Sequence, residues 1–152
     1  MTPFYLVDVF TTEPFSGNPL AVVPDADELS TELMQRIAGE FNQTETTFLL
    51  APTHPDADWE LRSFTAAGIE VFGVGHNALG AWWWLATSGR LTLDAPTRTF
   101  TQEIDGRALP VEVRSERGRV IAVSVAQADP VFGAAWERSR RSRPRSAWAT
   151  PS

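Results

Sequence analysis

Short apolar runs broken by Pro, Gly and Asn organise the first half of the chain. Tyr5-Leu6-Val7-Asp8-Val9-Phe10 is rich in β-favouring side chains and predicts a strand. Thr11 to Pro19 holds Pro, Gly and Asn and predicts a loop. Leu20-Ala21-Val22-Val23 predicts a short buried strand, ended by Pro24. Ser30 is placed to cap a helix in which Leu33, Met34, Ile37, Ala38 and Phe41 recur at helical spacing, ending near Asn42. Thr46 to Leu50 predicts the next strand. His54-Pro55-Asp56 marks a turn with His54 facing solvent, and Trp59 to Thr65 alternates as a further strand.

The second half changes character twice. Gly75 to Ala86 predicts a helix that is apolar nearly all round, through Ala78, Leu79, Ala81, Trp82, Trp83, Trp84 and Leu85. A helix without a polar face must be surrounded by other elements, so the three Trp read as core. Strands are expected at about 98–104, 109–113 and 119–125, with Asp105-Gly106 and Arg117-Gly118 as hairpin turns. The expected fold class is α+β, a curved, mixed but mostly antiparallel sheet wrapped around one buried central helix. Residues 1–136 form the expected domain. Residues 137–152, rich in Arg, Ser and Pro, have no hydrophobic period and are expected to be a disordered tail. Their composition also matches what a shifted frame in GC-rich coding DNA yields.

Charge and composition narrow the function. There is no Lys, and residues 1–136 carry 8 Arg against 18 acidic residues, while residues 137–152 carry 5 Arg and one acid. The acidic body argues against nucleic acid as a partner. The absence of Cys removes disulfides, thiolate metal sites and cysteine catalysis, and two His in no metal-binding spacing give no reason to expect a metal. No apolar run reaches membrane-spanning length and no signal peptide opens the chain, so a cytoplasmic protein with no membrane partner is expected.

Three features carry candidate chemistry. Glu45 stands between Asn42-Gln43-Thr44 and an apolar strand, where a partly desolvated carboxylate suits general acid–base work. Gly73, Gly75 and His76 open the apolar helix, and unpaired N–H groups at a helix start suit a carboxylate or phosphate. Asn18 lies in the Pro/Gly loop, where its amide suits ligand orientation. Each has a structural alternative: a strand-starting Glu, glycines that admit the chain into a buried helix, and an Asn-Pro turn. Asp8 reads as structural.

Taken together, these segments resemble the phenazine-biosynthesis PhzF-like family, which shares the diaminopimelate-epimerase fold. The resemblance rests on Val7-Asp8-Val9-Phe10, Phe15-Ser16-Gly17-Asn18-Pro19-Leu20-Ala21-Val22-Val23, Phe41-Asn42 to Glu45-Thr46-Thr47-Phe48, Phe64-Thr65 with Glu70, and Gly75-His76 through Leu79-Gly80. It covers about residues 4–133. One departure stands out: the family often has Gly-His-Pro-Thr or Gly-His-Ala-Thr, where this chain has Gly75-His76-Asn77-Ala78.

The resemblance implies an isomerase that moves a proton between carbons of a small carboxylic acid without metal or organic cofactor. Glu45 would be the acid/base, and Asn18, Gly75, His76 and Asn77 would meet the substrate. It also implies a second, pseudo-symmetric domain across the cleft, so this chain corresponds to an N-terminal half. Impaired catalysis, an exposed sheet edge and a homodimer are then expected of the chain alone. The competing expectation is a non-catalytic small-anion-binding or interaction domain.

Overall fold

The computed structural model describes residues 2–126, so the boundary at residue 136 and the expected tail lie outside the described residues. Ten elements follow in chain order: β1 (Tyr5–Val9), β2 (Asn18–Val23), α1 (Thr31–Phe41), β3 (Glu45–Leu50), β4 (Trp59–Thr65), β5 (Glu70–Val71), α2 (His76–Thr87), β6 (Thr97–Ile104), β7 (Arg107–Glu116) and β8 (Arg119–Val125). They build one mixed sheet of order β1-β2-β3-β4-β6-β7-β8, with β5 added beside β4. The β2–β3 and β4–β6 ladders are parallel and the others antiparallel. The sheet curls into a half-barrel, as the α+β reading expects.

The two helices lie on opposite faces, and this explains the sequence pattern. Leu20, Val22, Leu49 and Leu61 pack with α2, while Val23, Phe48 and Phe64 pack with Met34 and Ala38 of α1. Strands covered on both faces read as continuous apolar runs, which is why β2 and β3 lack alternation. β7 is covered on one face only, and its burial alternates from Val111 to Ser115. Its turns are those the sequence predicts: Asp105-Gly106 and Arg117-Gly118 all have positive φ, the type I′ signature that matches strand twist.

α1 begins at the expected cap, with Ser30 Oγ accepting from Leu33 N–H at 3.3 Å. It ends at Asn42 in the left-handed region, whose N–H donates to Ala38 O. α2 sits inside the curl. Trp82 is fully buried and its indole N–H donates to Gln102 Oε1 at 2.9 Å. Gly80 lets the helix approach the sheet closely, since a Cβ there would lie 2.6 Å from Leu20 Cδ2.

Two expectations need correction. α2 is not surrounded: Trp83 is 39% exposed, in a groove between β1 and β8 lined also by Val7, Leu79, Ile121 and Val123. His54 is only partly exposed: its Nδ1 accepts from Asp56 N–H, and its own backbone N–H donates to Glu103. Burial pushes the Glu103 carboxyl up, but hydrogen bonds from Thr53 Oγ1 and from the His54 and Thr53 N–H groups outweigh it and hold it below the ordinary value. Asp8 is structural, as read: its carboxylate accepts from the N–H groups of Ser16 and Gly17 and pins the loop ahead of β2.

Candidate active site

Glu45 is the first residue of β3 rather than the residue before it. Parallel pairing sets it beside Leu20, and antiparallel pairing sets it beside Thr65. Its side chain therefore emerges where the sheet meets the start of α2. His76 is the first residue of that helix, and its Nδ1 lies 3.6 Å from Glu45 Oε2. That distance exceeds the 2.7–3.2 Å range of a good hydrogen bond. Glu45 Oε2 and His76 Nε2 are both inaccessible and both without a partner among the described residues. Thr46 Oγ1 and Gln102 Nε2 are likewise unpartnered, but Glu45 and His76 are the pair that also lines a cleft.

The orphans border a cleft of about 390 Å³ lined by Glu45, Phe72, Gly73, Val74, Gly75, His76, Asn77, Arg107 and Leu109. The glycine turn forms one wall. Neither Gly73 nor Gly75 has positive φ, and a Cβ on Gly73 would touch nothing within 4 Å. Backbone geometry and protein packing therefore do not require glycine at Gly73. What it leaves is open space beside the backbone, where a ligand can come close.

Asn77 holds this turn in place. Its Oδ1 accepts from Gly75 N–H at 2.9 Å, and its Nδ2 donates to Gly73 O at 3.0 Å and Ser63 Oγ at 3.2 Å. No side chain caps α2, and its first helical bond runs from Leu79 N–H to Gly75 O. The N–H groups of His76, Asn77 and Ala78 thus precede the helical ladder and present the positive end of the helix.

Of the residues predicted from sequence, Glu45, Gly75, His76 and Asn77 come together here. Asn18 does not line the cleft. It starts β2 at the same end of the sheet, where Thr44 Oγ1 donates to its Oδ1 at 3.5 Å. Arg107 and Leu109, contributed by β7, were not predicted. The available signal was period two: Arg107 continues the row of Leu109, Val111, Val113 and Ser115. Among the described residues no three His, Asp or Glu side chains converge as a metal cage, and no helix is long and apolar enough to cross a membrane.

Comparison with known proteins identifies the family. The family model described as phenazine biosynthesis-like protein matches residues 7–147. Trans-2,3-dihydro-3-hydroxyanthranilate isomerase of Pseudomonas aeruginosa is 36% identical over 144 residues, covering 93% of this chain and 46% of that protein. The chain thus spans about half the length of the relatives it matches. The crystal structure of a Bacillus anthracis phenazine biosynthesis protein of the PhzF family superposes with a TM-score of 0.66 at 34% identity, over 77% of this chain and 38% of that one. A probable proline racemase from Agrobacterium radiobacter, 18% identical, superposes with a TM-score of 0.54 over 77% of this chain and 39% of that one, a likeness of fold alone. The chain belongs to the phenazine biosynthesis-like, or PhzF, family of isomerase relatives.

Proposed function

We propose that the cleft at the start of α2 is one wall of an isomerase active site in which Glu45 moves a proton between two carbons of a small carboxylic acid. The observation that carries this reading is the buried, unpartnered Glu45 Oε2 facing a cleft beside the equally unpartnered His76 Nε2. The identity of the chain to a named anthranilate-type isomerase supports the substrate class.

In this reading the Glu45 carboxylate takes a proton from one carbon of an unsaturated acid. The electron pair left behind spreads into the conjugated system. Glu45 then returns the proton to a different carbon and ends ionised, as it began. No electron enters or leaves, so no redox cofactor is called for. His76 steadies a polar group of the substrate through Nε2, and the first-turn N–H groups of α2 with the glycine turn receive its anionic end. Asn77 acts through the turn it holds, and Asn18 meets the substrate from the neighbouring strand end.

Proton transfer needs the substrate held from both sides, and effective positioning is worth several kcal/mol of barrier. The chain alone is therefore expected to be a poor catalyst, in the cytoplasm, and self-association is the route by which it would complete a cleft. The test is deuterium incorporation from heavy water into trans-2,3-dihydro-3-hydroxyanthranilate. It is run on this chain and on a chimera completed with the remaining residues of the Pseudomonas aeruginosa relative. Incorporation by the chimera that vanishes with Glu45→Gln supports the role; undiminished incorporation removes it.

A further inference from the structure

We propose that Arg107 is the specificity residue of this cleft, the cation that selects a substrate bearing a free carboxylate over its uncharged analogue. The inference rests on the isomerase reading for the substrate class and adds the group that recognises it.

The argument starts from strand alternation. On β7, Val111, Val113 and Ser115 point into the half-barrel and are buried, while Glu112, Arg114 and Glu116 face out. Arg107 has inward parity. Its cross-strand partner is Ile104, which is 3% exposed and belongs to the core around α2. Directly opposed residues project from the same face of a sheet. An arginine is thus placed on the core-facing row, at the one position where that row reaches the rim. The type I′ turn at Asp105-Gly106 fixes this register, since a one-residue slip would reverse the whole row.

The side chain then lines the same cleft as Glu45 and His76. Arg62 is committed to Glu70, Arg90 to Asp25 and Arg98 to Asp94, whereas Arg36, Arg114, Arg117 and Arg119 have no such partner among the described residues but do not line this cleft. None of the ion pairs or side-chain hydrogen bonds among the described residues engages Arg107. The cleft therefore holds an uncommitted guanidinium on the β7 wall, across from a helix start whose buried His76 Nε2 also lacks a partner. A guanidinium fork matches a carboxylate with two parallel N–H bonds, which an amide of the same shape cannot reproduce. With Glu45 acting on carbon, the carboxylate falls to the N–H groups at the start of α2, and Arg107 adds a cation on the facing wall of the same cleft.

Calorimetric titration of this chain with anthranilate and with anthranilamide, at low salt, tests the assignment. The native chain is expected to bind the acid about tenfold or more tightly than the amide, as for one charge-assisted contact. Arg107→Gln is expected to lose most of this preference, and Arg107→Lys to keep more of it than Arg107→Gln. Arg107 is exposed, so a circular dichroism melt should show both variants folded. A preference undiminished in Arg107→Gln, or a native chain that does not prefer the acid, overturns the proposal. Failure of the isomerase reading registers separately, in the deuterium assay. A chimera silent there while the chain still selects the acid through Arg107 would remove the isomerase and leave the anion site.

Discussion

Glu45→Gln should make the protein worse at chemistry and better at staying folded. The Glu45 side chain is 20% exposed, yet Oε2 is inaccessible and has no hydrogen-bond partner. An unsatisfied buried polar group costs about 1–3 kcal/mol, more when charged. The His76 ring nitrogen at 3.6 Å offsets little of this, because it lies beyond good hydrogen-bond range. Glutamine keeps the shape and removes the charge, while its amide still has an unpaired N–H. The net expectation is a gain of about 1 kcal/mol, which for a chain of this size raises Tm by roughly 2–4 °C. Urea unfolding at pH 7 followed by far-UV circular dichroism reads the gain as a higher midpoint at unchanged slope. In the completed chimera the same change should cost about 10²–10⁴-fold in rate, the usual contribution of a positioned acid or base. If the variant instead loses a kcal/mol or more, Glu45 Oε2 is satisfied by its neighbours, and the idea of a carboxylate held unpaired for a ligand fails.

Gly80→Ala should destabilise the fold by about 1 kcal/mol net, because the added methyl meets Leu20 and Val9 side chains and outweighs the helix propensity it brings; a rise in Tm would contradict the close approach of α2. Asn77→Ala should cost about 1–3 kcal/mol, since it removes the partner of Gly75 N–H and Gly73 O and leaves Ser63 Oγ with Thr47 alone, and denaturant titration measures it. Glu103 is held below its ordinary value of 4.5 in the folded state, so its contribution is complete above that pH and is lost as pH falls through the lower folded value. Unfolding free energies measured from pH 6 down to pH 3 should therefore fall less steeply for Glu103→Gln than for the native chain, and parallel curves would show that its bonds to Thr53 and His54 contribute nothing.

Much of the fold is legible because local chemistry and tertiary demand agree. Ser30, Asn42 and the two glycine turns act through their own backbone, so their positions survive folding unchanged. β5 escaped detection because two residues carry no period; it exists because Val71 and Glu70 pair with Ser63 and Phe64. The salt bridge from Glu70 to Arg62 adds to it. Trp83 was misread because the composition of a helix does not reveal that, among the described residues, β1 and β8 leave a groove over it. Glu45 and His76 were found as residue types in suggestive places, whereas their convergence depends on strand order. Arg107 lay 62 residues from Glu45 in the chain. Only the β4–β6 crossover brings its strand to the same rim.

That crossover is also the narrowest seam along the main strand order of the sheet. β4 and β6 align over just two residue pairs, Trp59 with Gln102 and Glu60 with Glu103. Everything that carries Glu45 lies on one side of this seam, and the β6–β7 hairpin that carries Arg107 lies on the other. Side chains clamp the joint where backbone pairing is short: Thr101 N–H donates to Asp58 Oδ2 at 2.7 Å, and Glu103 gathers Thr53 and His54. The span between Glu45 and Arg107 is thus held like the gap of a caliper, by a screw placed away from its jaws. Asp58 and Glu103 thus fasten the Arg107 hairpin to the strands that carry Glu45, though neither lines the cleft.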